Sequence, residues 1–291
     1  MFRIGYNTNG FAHHRLPDAL EVLAELGYEA VSITPDVHGL DPLHLDLDEV
    51  ARVRACAEAL GLALSVETGA RYVLDPRRKH FPTLMEDAVE DRARRVAFLL
   101  DCVDLTAELG GEVVSLWAGA APGGAVGDRR EGPAAPEVLW ERLAEGLRPV
   151  LERGEAQGVQ VAFEPEPGMF LERPAGYLEL CERMGSDADA LGLCLDVGHL
   201  LCTGDLPVAE VIGAMAPRLV VCHLDDIAGG VHDHRMFGEG DLDLPATLRA
   251  LVEVGFEGIA AVELSRDSHR APLAAREAIE KLHAALGQPP A

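Results

Sequence analysis

Short runs dominated by Val, Ile, Leu and Ala alternate along the chain with longer stretches in which apolar residues recur at helical spacing. The short runs fall at 2–8 (FRIGYNT), 30–36 (AVSITPD), 63–69 (ALSVETG), 113–119 (VVSLWAG), 159–166 (VQVAFEPE), 191–199 (LGLCLDVGH), 219–226 (LVVCHLDD) and 258–265 (GIAAVELS). Each reads as a strand, and each is followed by a helical stretch such as LPDALEVLAELG, LDEVARVRACAEALG, LWERLAEGLRPVLERGEAQG or LPATLRALVEVG. Several of these stretches end at a glycine, the usual helix stop. Strands that are apolar on both faces belong to a parallel sheet covered by helices, and eight consecutive strand–helix units over residues 1–291 predict an α/β protein with a single (β/α)8 TIM barrel domain. A doubly wound open sheet is the competing arrangement, but the first turn, NTNGFAHHR, lacks the glycine-rich phosphate loop usual there. Long connections follow the third strand (70–91) and the fourth (120–137), on the face where barrel enzymes carry their sites; the second, rich in Gly, Pro and Ala, is either a mobile flap or an inert surface loop.

The ends of the last four strands break the apolar pattern. Strand five closes on Glu164, strand six on Asp196, strand seven on His223 and strand eight on Glu263. Side chains alternate across a strand, so each of these shares a face with the residue two before it: Ala162, Cys194, Val221 and Ala261. Neighbouring strands can therefore bring the four together. Clustered carboxylates without a counter-ion cost several kcal/mol in desolvation and repulsion, and a divalent cation removes that cost. The oxygen-rich donor set suits Mn, Co or Mg and also accepts Zn. His199, three residues after Asp196, and His232 and His234 after strand seven are candidates for a second metal or for substrate oxygens, the alternative for the latter pair being exposed loop histidines. Gly238 and Gly240 bracket Glu239 in a turn that lets the backbone pass close to a ligand.

Charge narrows the partners. With 25 Lys+Arg against 49 Asp+Glu the formal net charge is −24, which repels polyanions and argues against nucleic acid. No apolar run reaches a membrane span and the N-terminus lacks a secretory signal pattern, so a cytoplasmic, soluble protein is expected. The six cysteines (Cys56, Cys102, Cys181, Cys194, Cys202 and Cys222) form no C-x-x-C pair and read as reduced core residues. Within so acidic a chain the run Arg77, Arg78, Lys79, His80, with Arg71 nearby, is either an anchor for a substrate phosphate or carboxylate or a solvated loop; Arg235 and Arg266 are alternative anchors. Trp117 is either an apolar wall for a carbon skeleton or a core residue.

The ordered motifs FEPEPG, LDVGH, CHLDD…HDHRMFGEGDLD and VELSR resemble the xylose-isomerase-like barrel superfamily, which includes sugar isomerases and epimerases and endonuclease IV. The resemblance implies that Glu164, Asp196, His223 and Glu263 are shared metal ligands, that Glu164 and Glu263 also exchange a proton with substrate, and that His199 contacts sugar hydroxyls or a further zinc. His232 and His234 fall where the nuclease completes that further zinc site, whereas Glu67 and Trp117 stand where it carries two more zinc-binding histidines. The expected activity is metal-dependent isomerisation or epimerisation of a ketose or related polyhydroxy carbonyl compound through an enediolate, with Glu166, Trp117, Arg235, Arg266, Arg78 and Lys79 as substrate contacts. A zinc-dependent hydrolase or lyase of a phosphoester or sugar conjugate, and a non-catalytic metabolite-binding barrel, are the alternatives. Pairing of apolar barrel helices into a homo-oligomer is a further expectation.

Overall fold

The computed structural model describes residues 1–37, 39–69, 71–122 and 136–287. Eight parallel strands, β1 (Arg3–Asn7), β2 (Ala30–Ile33), β3 (Ala63–Glu67), β4 (Val113–Leu116), β5 (Gln160–Phe163), β6 (Leu191–Asp196), β7 (Leu219–Leu224) and β8 (Ile259–Val262), close into a barrel in chain order. The closure pairs Arg3 with Ile259 and Tyr6 with Val262. Around it run α1 (Leu16–Glu25), α2 (Leu47–Leu60), α3 (Val89–Glu108), α4 (Pro136–Gln157), α5 (Pro174–Met184), α6 (Val197–Thr203), α7 (Val208–Met215), α8 (Leu244–Glu253) and α9 (Ala271–Leu286). The single TIM barrel is thus the observed fold. Most of the loop after β4, for which a mobile flap and an inert surface loop are the two readings, lies outside the described residues.

Local chemistry sets the helix ends. Asp46 caps α2 by accepting from the backbone N–H groups of Asp48 and Glu49, two acids that suit the positive end of the helix. The apolar face of α8 (Leu244, Leu248 and Leu251) is buried at helical spacing against the barrel. Among the described residues no single helix is long and apolar enough to cross a membrane.

The barrel interior is filled by small side chains. Val113, Ala162, Cys194 and Val221 form one buried cluster, and Ala30, Ile259 and Ala261 another. Residues of opposite parity, including Phe163, Leu193, Leu195, Cys222 and Val262, join the larger core between strands and helices. Two residues beyond Ala162, Cys194, Val221 and Ala261 stand the four polar strand-end residues, so the alternation read from the sequence is the alternation in space.

The strands stop one to three residues before the apolar runs do. At LDVGH the reason is plain, for β6 ends at Asp196 and Val197 already begins α6. Asp196 is the cap of that helix, its Oδ1 accepting from the His199 amide at 2.9 Å, and a short helix therefore carries His199 over the end of the barrel.

The loop after β7 has its own brace. Asp226 is fully buried, and its carboxylate accepts four backbone N–H groups: Ile227 and Leu242 on Oδ1, at 2.9 Å each, and Gly238 and Gly240 on Oδ2, at 2.8 and 3.0 Å. A Cβ at Gly240 would lie 2.4 Å from that carboxylate. The close backbone approach expected for a ligand at Gly238 and Gly240 is made instead to the protein's own Asp226. Replacing Asp226 by Asn turns an amide N–H₂ toward two of these donors and is expected to cost about 2–4 kcal/mol in urea unfolding; a loss under about 1 kcal/mol would show that the loop holds itself without this carboxylate.

Candidate metal centre and its cavity

The side chains of Glu164, Asp196, His223 and Glu263 converge, each offering one ligand atom, with these atoms all within 4.8 Å of one another. Asp196 and His223 are 1% exposed and Glu164 6%. His223 Nδ1 sits between two carboxylates, 3.1 Å from Glu164 Oε1 and 3.0 Å from Glu263 Oε2. Its Nε2 faces the Cys194 sulfur at 3.7 Å, which fixes the ring with Nδ1 toward the acids. Glu263 is oriented from the other side by the amide groups of Asn7 and Asn9, which donate to Oε2 and Oε1 at 2.9 Å each.

The cluster draws positive charge to itself. Burial works against protonation of His223, but Cys194 and Glu164 outweigh it and raise its pKa well above the ordinary imidazole value. Asp196 is pushed well above the usual carboxylate range, first by burial and then by Asp225. Glu263 is held below that range despite its burial, because His223 hydrogen-bonds to it and His234 adds positive charge nearby.

A second group adjoins the first. His199 Nδ1 lies 3.0 Å from the carbonyl of Pro165, which can only accept, so Nδ1 carries the proton and Nε2 presents a lone pair. That Nε2 is 3.1 Å from His232 Nε2 and 3.5 Å from Glu166 Oε2. His199, His232 and His234 bring one ring nitrogen each within 4.8 Å of one another, so the structure assembles all three histidines. Burial, then His232 and His234, lowers the His199 pKa; burial, then His234, brings His232 down to about 4. Burial alone would lower His234 too, but Asp225, 2.8 Å away, raises it well above its ordinary value. A Cβ at Gly198 would lie 2.1 Å from Asp225 Oδ1, so the glycine of LDVGH lets α6 pass over this acid.

Both groups open on one cavity of about 730 Å³. Glu164, Glu263, Glu166, His232 and His234 line it, as do Trp117, Lys79 and Arg266. Trp117 is buried and forms part of the cavity wall, with His80 edge-on at 5.2 Å and the Arg95 guanidinium over the ring at 4.4 Å. Arg78 and Arg235 are not brought to the cavity. An acid close in sequence captures each: Asp75 holds Arg78 and Asp233 holds Arg235, both at 2.8 Å.

Glu67, Asn7, Asn9 and Asp225 were not singled out as site residues by the sequence. Glu67 ends β3 and lines the cavity, accepting from the Gly69 amide at 2.8 Å and from the Thr34 hydroxyl. Burial, reinforced by the charge of Glu263, pushes its carboxyl up to about 7. The polar strand-end rule that found the other four would have found Glu67 had it been applied to strand three.

Comparison with known proteins agrees with this architecture. The inosose dehydratase of Lacticaseibacillus casei is 28% identical over 149 residues, 45% of this chain and 49% of that one, so the chain matches about half of that relative's length. The fructoselysine 3-epimerase of Shigella flexneri is 25% identical over 281 residues, covering 94% of this chain and 95% of the relative. The crystal structure of the IOLI protein with a bound zinc atom has a TM-score of 0.75 to this fold, at 18% identity and covering 98% of each chain. Residues 20–285 match the sequence profile of the xylose isomerase-like TIM barrel, and the chain belongs to that family.

Proposed function

We propose that this protein is a divalent-metal-dependent epimerase or isomerase of a ketose or related polyhydroxy carbonyl compound, with Glu164 and Glu263 exchanging the proton beside the carbonyl. The observation that carries the reading is the convergence of Glu164, Asp196, His223 and Glu263, of which Glu164 and Glu263 line a sugar-sized cavity. The reading also draws support from the full-length similarity to fructoselysine 3-epimerase and from the zinc in the IOLI protein.

The residues present fit a dication. Asp196 spends Oδ1 on its helix cap, while Oδ2 is buried and accepts no hydrogen bond among the described residues. One ring proton on His223 Nδ1 cannot satisfy the glutamate oxygens on both sides of it. These four residues would hold Mn, Co, Mg or Zn, which when bound supplies Lewis-acid polarisation of the carbonyl and an adjacent hydroxyl oxygen.

The chain's own groups then divide the work. One glutamate takes the proton from the carbon next to the carbonyl, the C–H pair moves into the carbon skeleton as an enediolate, and the other glutamate returns a proton to the opposite face or to the neighbouring carbon. No net oxidation occurs. Asn7 and Asn9 fix the Glu263 carboxylate in place, and the buried Trp117 offers the carbon skeleton an apolar wall. His232, kept neutral by burial, lines the cavity with its Nε2 against the His199 Nε2 lone pair, so that His199 orients the ring offered to a substrate hydroxyl.

A lyase that expels a hydroxyl after the same proton removal is a second reading. Glu67 favours it, since a carboxyl pushed up to about 7 retains a proton to give to a leaving hydroxyl near neutral pH. A dehydratase among the relatives points the same way.

Incubating metal-loaded protein with a ketose panel in D₂O is expected to place solvent deuterium on carbon, with Glu164→Gln and Glu263→Gln each slowing uptake about a thousandfold. Retention of all oxygens supports the epimerase and loss of water the lyase; unchanged exchange in both variants would exclude the proposed roles. Metal affinity supplies a second test. His223 and Asp196 have raised pKa values and must be unprotonated to hold a cation, so binding expels protons and tightens as pH rises toward those values. Chelator competition between about pH 5 and 8 should show this slope; a flat profile would contradict the ligand assignment.

A further inference from the structure

The cavity is electrically two-sided. Its floor is acidic, while Arg71, Lys79 and Arg266 stand around its mouth. In a chain where acids outnumber bases 49 to 25, three bases gathered on one cavity stand out. Away from the cavity some arginines are matched, Arg3 with Glu112, Arg173 with Asp205, Arg183 with Glu137 and Glu179, while others on the surface, such as Arg52, Arg249 and Arg276, have no ion pair among the described residues but do not line the cavity. Among the described residues no carboxylate reaches Arg71, Lys79 or Arg266 at ion-pair distance. Arg71 meets only the carbonyl of Asn9, at 3.4 Å, and Arg266 that of His232, at 3.2 Å.

The loop after β3 is folded so as to produce this arrangement. Asp75 accepts from the backbone N–H groups of Arg77 and Arg78 and from the Arg78 guanidinium, which keeps Arg78 out of the cavity. His80 takes a left-handed conformation, φ 70°, which is costly for a residue with a Cβ, and its amide donates to the Arg71 carbonyl at 2.6 Å. That closure sets Lys79 beside Arg71. The Lys79 ammonium feels the result: partial loss of hydration against the cavity wall and then the charge of Arg71 lower its pKa.

A fourth cation lies behind this wall. Arg95 of α3 is 1% exposed, with its guanidinium against the Trp117 ring and its Nε and Nη2 without acceptors among the described residues. Buried guanidinium groups ordinarily have a carboxylate partner, because an unpaired buried charge costs several kcal/mol. The positive field shows at His80, brought down to about 3 by burial and by Lys79, Arg95 and Arg71. A neutral ketose has no use for such a wall, whereas an anionic one would otherwise be repelled by the acidic floor.

We infer that the substrate is anionic, carrying a phosphate monoester or carboxylate that Arg71, Lys79 and Arg266 receive at the cavity mouth while its carbonyl end rests on the Glu164–Glu263 floor. The inference rests on the proposed reaction and adds the substrate's charge to it. Guanidinium forks and an ammonium suit either oxyanion.

The test is calorimetric titration of metal-loaded protein with D-fructose, D-fructose 6-phosphate and D-fructuronate. At least one anion is expected to bind roughly 10- to 100-fold tighter than D-fructose, as a few partly exposed charge pairs provide, and the tighter of the two identifies phosphate or carboxylate. The preference should weaken with added salt. It should also vanish in the triple variant Arg71→Gln/Lys79→Gln/Arg266→Gln, whose circular dichroism and metal content verify that floor and fold are intact. The inference is overturned if neither anion binds, if neither exceeds D-fructose, or if the preference survives in the triple variant, since the anion would then be sitting elsewhere. Solvent-deuterium uptake by the same compounds separates the two readings: a charge preference without uptake ends the reaction proposal and leaves the anion site standing, and uptake without preference does the reverse.

Discussion

Everything at the mouth of this barrel depends on like charges being forced together. Parallel strands all end on one face, and side-chain alternation turns the ends of β5 to β8 inward; Asp196 and His223 are register partners, and Glu164 and Glu263, staggered along their strands, still converge on them. The surroundings are built to hold that arrangement. Asn7 and Asn9 grip Glu263 from β1 and the turn after it, Cys194 faces the far side of the His223 ring, and Asp196 is tied to the first turn of α6. Each contact fixes a side chain that would otherwise swing outward to relieve repulsion. The metal reading gives this enforced crowding a chemical purpose, since a dication and three carboxylates offset one another while leaving two glutamates facing the cavity.

Much of the fold was legible because buried parallel strands leave a plain signature. Their apolar runs allow no other sheet, and eight of them with intervening helices leave little choice of topology. Strand limits were less legible, because the residues just past each strand are also buried and apolar composition does not report where the hydrogen-bond ladder stops. LDVGH shows this well: Val197 is as apolar as the strand before it, but the Asp196 carboxylate caps a helix there, and His199 approaches the site from that helix.

The four strand-end ligand candidates were legible from position alone, whereas the supporting residues were not. Glu67 sits at the same kind of strand end but faces Glu263 from across the barrel, a relation that only closure creates. Asn7 and Asn9 reach Glu263 because β1 pairs with β8, more than 250 residues away in sequence, as the separations of 256 and 254 between these partners record. Local contacts misled in the other direction. Arg78 and Arg235 looked like anion anchors, but a carboxylate two or three residues earlier holds each. The glycines of FGEGD suggested a ligand-binding turn; Gly240 leaves room for the buried Asp226 carboxylate and Gly238, at positive φ, donates its N–H to it, which positions the loop bearing His232 and His234.

The central claim is that the four strand-end residues jointly hold one dication. Anomalous diffraction from crystals grown with Mn²⁺ measures this directly. The account predicts a strong anomalous peak at coordinating distance from Glu164, Asp196, His223 and Glu263 together. A peak held only by His199, His232 and His234, or none near the floor of the cavity, would contradict it.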